Sequence, residues 1–477
     1  METENLIFTT SGIRGIFGKD LTLDIAKKIA IAFGLWLPDK RVIIGRDTRP
    51  SGLELEKVII EGLIAADCKV INLSICPTPA IIFKKNQLNI PAGIIISGSH
   101  NPPEWNALKL LFGTTFLSNS ELDQISEILK NISLNDYRSI NPEKIKSIEK
   151  IDAIQDYIQA IYKKFDVEKI KEKNKLKVVV DTGAGAGKYI TPQLLEGLGC
   201  EVKLVNNDLY IDNDFPRGIE PIEKNLKDLI MIIWRGKYDI GFAHDCDADR
   251  LAIIGDDYRW YPEDISLALI TKFSLEKFKK IDRKTIFVTN IASSLIFEEL
   301  AKEYNAEVIR TPIGERYLAE TMEDLIKKES SESRETIIFG GEGSCGGIMD
   351  PYFNNARDGI YAAAKIIELL VETGEKISNL VAKLPKFYSF REKIEYPKKE
   401  ISQIIKMVKK ELISEGEIVQ EIGNDLRFGE GNEWFTLIHP SNTEPIIRVI
   451  SEAKRESLAR VFCETTAELV RMIISKI

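Results

Sequence analysis

The chain has 477 residues, 44% hydrophobic and 29% charged, with a formal net charge of −8. This is a soluble globular profile, too long for one core when domains run about 100–200 residues. The acidity argues against a nucleic-acid partner, which recruits a basic surface. It leaves room for an anionic small substrate in a locally basic site.

Three segments read alike along the chain. The first has an apolar strand at Arg41–Arg46, the loop DTRPSG, an amphipathic helix over about 53–67, and a strand at 69–75. The second has a strand at 177–181, the loop TGAGAG, a helix near 189–198 and a strand at 201–205. The third has a strand at 285–289, a helix near 293–304 and a strand at 307–310. Strand–helix alternation of this kind predicts buried βαβ units, and its recurrence predicts three similar α/β domains. The last hundred residues change character. A helix over 401–414, strands at 417–420, 433–438 and 445–450, and a closing helix over 457–474 predict a smaller α+β domain with an antiparallel sheet. The expected domains are 1–150, 151–256, 257–372 and 373–477, with linkers near 141–150, 256–262 and 371–375 and an exposed loop at 329–334.

No apolar run approaches the ~20 residues that span a bilayer. The N-terminus lacks the basic-then-apolar pattern of a secretory signal. Six scattered cysteines without a CxxC pair read as reduced thiols, so a cytoplasmic protein without a membrane partner is expected.

Four loops carry the chemistry. In the first, Ser97-Gly-Ser-His-Asn-Pro-Pro103, the apolar run Ile94–Ile96 stops at small polar residues. Pro102 and Pro103 preset the loop's geometry. A serine that carries a phosphate needs such rigidity, because misplacement by about 1 Å is costly. Lys109, ten residues on, could return as a charge partner. A proline-terminated surface turn is the plain alternative.

The second loop is His244-Asp-Cys-Asp-Ala-Asp-Arg250. Three carboxylates at alternate positions repel one another unless a cation sits among them, and oxygen ligands suit hard Mg2+ or Ca2+. An EF-hand is excluded by Arg250 at the sixth position, where that loop needs glycine, and by the strand that precedes it. Mg2+ completes its shell with phosphate oxygens, so a phosphorylated serine is an apt further ligand. A solvated acidic turn is the alternative.

The third loop is Gly340-Gly-Glu-Gly-Ser-Cys-Gly-Gly347, where five glycines surround Glu342 and Ser344, a carboxylate and a hydroxyl suited to sugar hydroxyls. It fits neither G-x-x-x-x-G-K-[ST] nor GxGxxG, and taken alone it reads better as a glycine-rich turn. The fourth is His439-Pro-Ser-Asn-Thr-Glu-Pro445, in which Ser441, Asn442 and Thr443 offer a row of donors for an anion and Arg448 follows on the next strand. A polar hairpin turn is its alternative. The TGAGAG loop, Thr182–Gly187, reads best as tight strand-to-helix packing. The three histidines, His100, His244 and His439, all lie in or beside these loops.

Taken together, these loops resemble those of the α-D-phosphohexomutase family of phosphoglucomutases, phosphomannomutases and phosphoglucosamine mutases, in order and over almost the whole chain. Thr10–Gly15 (TSGIRG) looks like the N-terminal substrate-facing motif. GSHNP is similar to T-A-S-H-N-P with Gly98 for alanine, and DCDADR to D-G-D-A-D-R with Cys246 for glycine. GEGSCGG and PSNTEP resemble the sugar-binding and phosphate-binding loops. The resemblance implies four domains, three α/β and one α+β, around one cleft, and a mutase interconverting hexose 1- and 6-phosphates of glucose or mannose, or alternatively of glucosamine. Ser99 would carry the phosphate and, with Asp245, Asp247 and Asp249, hold one Mg2+. Arg14, His100 and Lys109 would surround the transferring group. Arg250, Arg310, Thr311, Glu342 and Ser344 would face the sugar. His439, Ser441, Asn442, Thr443 and Arg448 would hold the other phosphate, and a sugar 1,6-bisphosphate would act as activator. The protein would be a monomer or homodimer. His439 departs from the arginine that many members carry there, Cys345 from a usual glycine, and RTPIGERYL looks closer to phosphoglucosamine mutases and archaeal relatives. A metal-dependent sugar phosphatase and a non-catalytic sugar-phosphate sensor are the readings from other classes.

Overall fold

The structure, a computed structural model, describes residues 6–137, 148–281, 283–329, 336–343, 347–396, 400–441 and 445–477. The linker expected at 141–150 and the loop at 329–334 lie mostly outside these residues.

The β-branched runs of the three repeats form parallel strands, of which the inner ones, Arg41–Arg46, Lys177–Asp181 and Thr285–Asn290, are buried on both faces as sheets covered by helices require, while the edge strands Glu201–Val205 and Glu307–Thr311 are partly exposed. Lys69–Ile75, Arg41–Arg46, Ala92–Ile96 and Trp105–Phe112 lie side by side in that order. In the second sheet the order is Glu201–Val205, Lys177–Asp181, Ile240–Ala243, Ala252–Ile254 and Trp260–Tyr261. In the third it is Glu307–Thr311, Thr285–Asn290, Ile337–Gly341, Ile348–Asp350 and Asn354–Asp358. In each, three parallel strands in the order second, first, third are followed by an antiparallel fourth. The three-fold repetition is therefore a repetition of topology. Trp260–Tyr261 pairs back onto Ile253 and Ile254, so the second sheet runs past residue 256.

Local chemistry sets the helix ends. Thr22 caps Leu23–Trp36, and Ser118 with Glu121 forms a capping box on Asn119–Lys130. Asp358 caps Gly359–Thr373, which stops at Gly374 in a left-handed conformation. This last helix is apolar almost all round, since it packs against helices of both the second and third units.

The last unit is an antiparallel sheet in the order Tyr388–Glu395, Ile446–Ala453, Trp434–Pro440, Asp425–Glu430, Gln420–Ile422. One face packs on the helices Ile401–Ser414 and Glu456–Ile474 through Ile438, Ile447, Val449, Val408 and Ala467. The other carries Phe435, Leu437 and Ile450 against Ile291 and Leu295 of the third unit. The expected strand at 417–420 forms three residues later, and two strands, Tyr388–Glu395 and Asp425–Glu430, were not foreseen. Both mix charged residues into the alternation and hide its period.

Candidate active site

Ser99 sits beyond the end of the buried strand Ala92–Ile96 with φ +47°, a left-handed conformation unusual for serine. Such strain persists where surroundings over-determine it, and Arg49 does so here. Its fully buried guanidinium donates to the carbonyls of Ser99 and Asn101 at 2.8 and 2.6 Å, and to those of Pro102 and Trp105 at 2.6 and 2.8 Å. Asp47 holds Arg49 and also accepts from Ser97, whose hydroxyl in turn accepts the Ser99 amide. The prolines stiffen the loop, but a buried arginine pins it. A Cβ on Gly98 would lie 2.7 Å from the Arg49 guanidinium carbon, so a larger residue here would press on the clamp.

The Ser99 hydroxyl donates to Asp245 Oδ2 at 2.8 Å. Asp245, Asp247 and Asp249 are buried, each offering an oxygen within 4.8 Å of the others. Asp247 Oδ2 accepts from Lys109 at 2.6 Å and from Thr78 at 2.5 Å, and Asp249 Oδ2 accepts from Arg357 at 2.8 Å. Asp247 Oδ1 and Asp249 Oδ1 are buried without any partner. Burial, then the charges of Asp249 and Asp247, push the Asp245 carboxyl well above its ordinary range. Burial also acts on Asp247, but the Lys109 ammonium and Thr78 outweigh it and hold that carboxyl down. Orphaned oxygens among all-oxygen donors are what a hard cation such as Mg2+ would satisfy.

The TGAGAG loop backs this site as packing. The Ala186 amide donates to the Cys246 carbonyl at 2.7 Å, and a Cβ on Gly185 would meet the same oxygen at 2.6 Å. The Cys246 thiol turns away, 3.5 Å from the Thr48 hydroxyl.

Cations ring the serine. Lys109 returns on the antiparallel strand Trp105–Phe112, and the Asp247 and Asp249 charges overcome burial to keep it protonated. Arg14, on Gly12–Ile16, donates to Asn101 at 2.6 Å; burial lowers it to about 10. Arg250 gives an N–H to His100 Nδ1 at 2.8 Å and another to Glu220 at 3.1 Å. The Arg250 charge, then burial, holds His100 well below the usual imidazole range. The ring is thus neutral, with its proton on Nε2. His244 serves differently from the expectation for these loops. It is fully buried, bonded to the Arg250 carbonyl and the Thr191 hydroxyl, and burial lowers it to about 4. It braces the end of the aspartate loop as a core residue.

On the sugar loop, Glu342 accepts from Asn290 at 3.0 Å, the Gly314 amide at 2.9 Å and Arg357 at 3.0 Å. Arg357 also pairs with Glu315 at 3.0 Å and Asp249, so one guanidinium joins the aspartates to Glu342. Arg310 does not face an open cleft. Its five hydrogen bonds, to Glu298 and the carbonyls of Asn290, Ser293 and Ser294, make it a clamp on the turn behind the loop. Thr311 is buried and bonds its own loop at the Pro312 carbonyl. Ser344, Cys345, Asn442 and Thr443 lie outside the described residues. Ser441 is buried, and His439 stands opposite Arg448 in the last sheet. Sequence reasoning passed over Arg49, Thr78, Glu220, Glu315 and Arg357. Only Arg49 carried a signal, as a buried cation in a named strand-end loop.

Models of the three α/β/α domains of phosphoglucomutase/phosphomannomutase match residues 5–136, 155–257 and 262–388 in order. The chain belongs to the α-D-phosphohexomutase family. This phosphohexomutase is 37% identical over 473 residues to a phosphoglucomutase/phosphomannomutase of Thermococcus kodakarensis, covering 97% of this chain and 98% of the relative. It is 30% identical over 469 residues to a probable phosphoglucosamine mutase of Thermococcus gammatolerans, covering 98% and 99%. In fold it is similar to a putative phosphomannomutase of Thermus thermophilus, with TM-score 0.78, 20% identity and coverage of 98% and 100%. It is also similar to an Aspergillus fumigatus N-acetylphosphoglucosamine mutase solved with GlcNAc-6P and magnesium, with TM-score 0.60, 14% identity and coverage of 98% and 96%. As a phosphohexomutase the protein is an enzyme of the isomerase class. No helix among the described residues is long and apolar enough to cross a membrane.

Proposed function

We propose that this phosphohexomutase interconverts hexose 1-phosphate and hexose 6-phosphate through a phosphate carried on Ser99 and a bisphosphorylated sugar. The observation that carries the reading is the Ser99 hydroxyl on Asp245, beside two carboxylate oxygens without partners. Asp245, Asp247 and Asp249, with the Ser99 phosphate, would hold one Mg2+, which supplies charge neutralisation at the transferring group. Phosphoryl transfer is mostly positioning and electrostatics, and this chain's residues supply both. Arg49 fixes the serine. Arg14, Lys109 and Arg250 offer positive charge on three sides, with neutral His100 oriented by Arg250. The P–Oγ bond breaks as a P–O bond to the sugar hydroxyl forms, and the hydroxyl proton ends on the released Ser99 oxygen, with protonated Lys109 or a neighbour assisting as a proton donor. The bisphosphate turns over in the cleft and returns its other phosphate to Ser99. Glu342 with Ser344 would bind sugar hydroxyls. Ser441, Asn442, Thr443, His439 and Arg448 would hold the phosphate that is not reacting.

A sugar 1,6-bisphosphate would restore the phosphoserine whenever the intermediate escapes. The sugar is glucose or mannose on this reading, with glucosamine the alternative that the relatives' names favour equally. The expected setting is cytoplasmic, as monomer or homodimer. Parallel assays of the three 1-phosphates with Mg2+ and bisphosphate test the reading. Ser99→Ala is expected to abolish isomerisation of whichever is used. Net phosphate release without isomerisation would replace the mutase by a phosphatase, and binding without turnover by a sensor.

A further inference from the structure

One strand of the third unit is keyed into the other two α/β units. Asn354–Asp358 is the last strand of its sheet, paired with Ile348–Asp350, and its side chains reach out of the unit. Asn354 donates to the Pro79 carbonyl at 2.9 Å, beside Thr78, whose hydroxyl bonds Asp247. Asp358 accepts from Tyr157 on the helix Ile154–Tyr162. The end of the strand lies on the aspartate loop itself. A Cβ on Gly347 would lie 2.5 Å from the Asp249 carbonyl oxygen, and one on Gly359 would overlap the Arg250 carbonyl oxygen. Only glycine lets two backbones come this close. The seam between strand and aspartate loop is thus fixed on both sides.

Arg357 sits in that seam with 13% of its side chain exposed, and its guanidinium serves three carboxylates. Nη2 donates to Asp249 Oδ2 at 2.8 Å, Nη1 to Glu342 Oε2 at 3.0 Å and Nε to Glu315 Oε2 at 3.0 Å. Glu315, at the start of the helix Glu315–Glu329, also accepts the Arg357 amide on its other oxygen at 2.8 Å, which holds the fork in place. The two remaining ends differ in consequence. On Asp249 the contact takes up Oδ2 and leaves Oδ1 without a partner, an oxygen that a cation can take. On Glu342 it takes up Oε2 while Asn290 and the Gly314 amide hold Oε1, so the carboxylate is held from both sides in its loop. A plain counter-charge for Asp249 makes a different prediction. Its removal would relieve the repulsion between two cations and tighten Mg2+.

We propose that Arg357 is a positioning residue shared by the cation site and the sugar loop, presenting Asp249 to Mg2+ and Glu342 to the sugar hydroxyls across one rigid seam. The inference rests on the mutase reading for the sugar and for Mg2+ as the cation. Arg357 acts through the two carboxylates.

The test reads both ends in one variant. Arg357→Lys keeps the charge, but an ammonium cannot reproduce a planar fork to three carboxylates. Calorimetric titration of MgCl2 alone into the Ser99→Ala protein should show Mg2+ bound about tenfold more weakly when Arg357→Lys is added, the scale of losing the partner of a metal ligand. Steady-state assays in the Ser99 background, with Mg2+ raised to saturate the variant, should show KM for hexose 1-phosphate raised by about tenfold, the scale of one lost hydrogen bond to a charged group. The change in kcat should be smaller than that in KM. In Arg357→Ala, added guanidinium chloride at millimolar concentration should restore Mg2+ affinity and KM together, and ammonium chloride should not. A general loss of packing would not respond to either salt. Should Arg357→Ala fail to fold, Arg357→Lys decides alone. Unchanged or tighter Mg2+ binding in Arg357→Lys overturns the shared role and leaves a counter-charge. A change at one end only overturns it too, and leaves a local partner of that end. A wild type that does not isomerise hexose phosphates removes the mutase reading, and the Mg2+ titration still decides the Asp249 end.

Discussion

At the scale of single residues, Arg49 fixes the geometry of the site. A strained serine can be held over the aspartates because one buried guanidinium collects four carbonyls around it. Lysine cannot reproduce that fork. Arg49→Lys is expected to lower kcat by about 100-fold with little change in KM, as a small misplacement of the reacting oxygen would. Gly98→Ala tests the same contact from the other side. Although alanine is the family residue, here it should destabilise by about 1–3 kcal/mol, read as a lower unfolding midpoint. The aspartates follow an electrostatic argument. Burial and two like charges disfavour ionised Asp245, so Asp245→Asn should raise the melting temperature of the metal-free protein. Asp249→Asn should remove the further rise that added Mg2+ gives the wild type. The structure brings together the serine, the aspartates and Lys109, to which the broken strand end, the alternate carboxylates and the returning strand pointed in the sequence without deciding against plain turns. Arg357 was not legible there, since nothing in NNARDG shows that its side chain reaches three carboxylates from three places in the chain. Arg310 misled for the converse reason, because a cation beside a motif can be spent entirely on holding its loop.

At the scale of elements, the C-terminal sheet docks on the third unit through strand Ile446–Ala453. Glu452 accepts from the Leu295 amide at 2.7 Å and the Ser294 hydroxyl at 3.0 Å. Burial raises it to about 7, against the favour of those two donors. A carboxyl raised in the folded state contributes most to stability below its unfolded value near 4.3, and that contribution fades as pH rises towards 7. Glu452→Gln keeps an acceptor and removes the charge. It is expected to gain up to ~3 kcal/mol over the wild type at pH 8 and little at pH 5, measured by denaturant unfolding at both. The same unit marks where strands stop being readable. Parallel strands such as Ala92–Ile96 are apolar on both faces and stand out. Tyr388–Glu395 is an edge strand whose face away from the helices carries Ser389, Arg391, Lys393 and Glu395, a pattern that looks like a loop until the sheet places it.

At the scale of the molecule, one topology used three times brings three loops to one place, and the fourth unit adds a sheet face. The recurrence was visible in the sequence as strand, small-residue loop and helix. Its meeting point was not, because it depends on contacts between units, such as the Thr78 hydroxyl on Asp247 and Arg357 on Asp249. The central claim is that Ser99 carries the phosphate that the sugar receives. It is tested most directly by charging the protein with glucose 1,6-bisphosphate, mapping the modification by tandem mass spectrometry, and chasing with hexose 1-phosphate and Mg2+. A phosphate on Ser99 that disappears in the chase as hexose bisphosphate forms is the expected result. An unmodified Ser99 in a protein that still isomerises the sugar would contradict it.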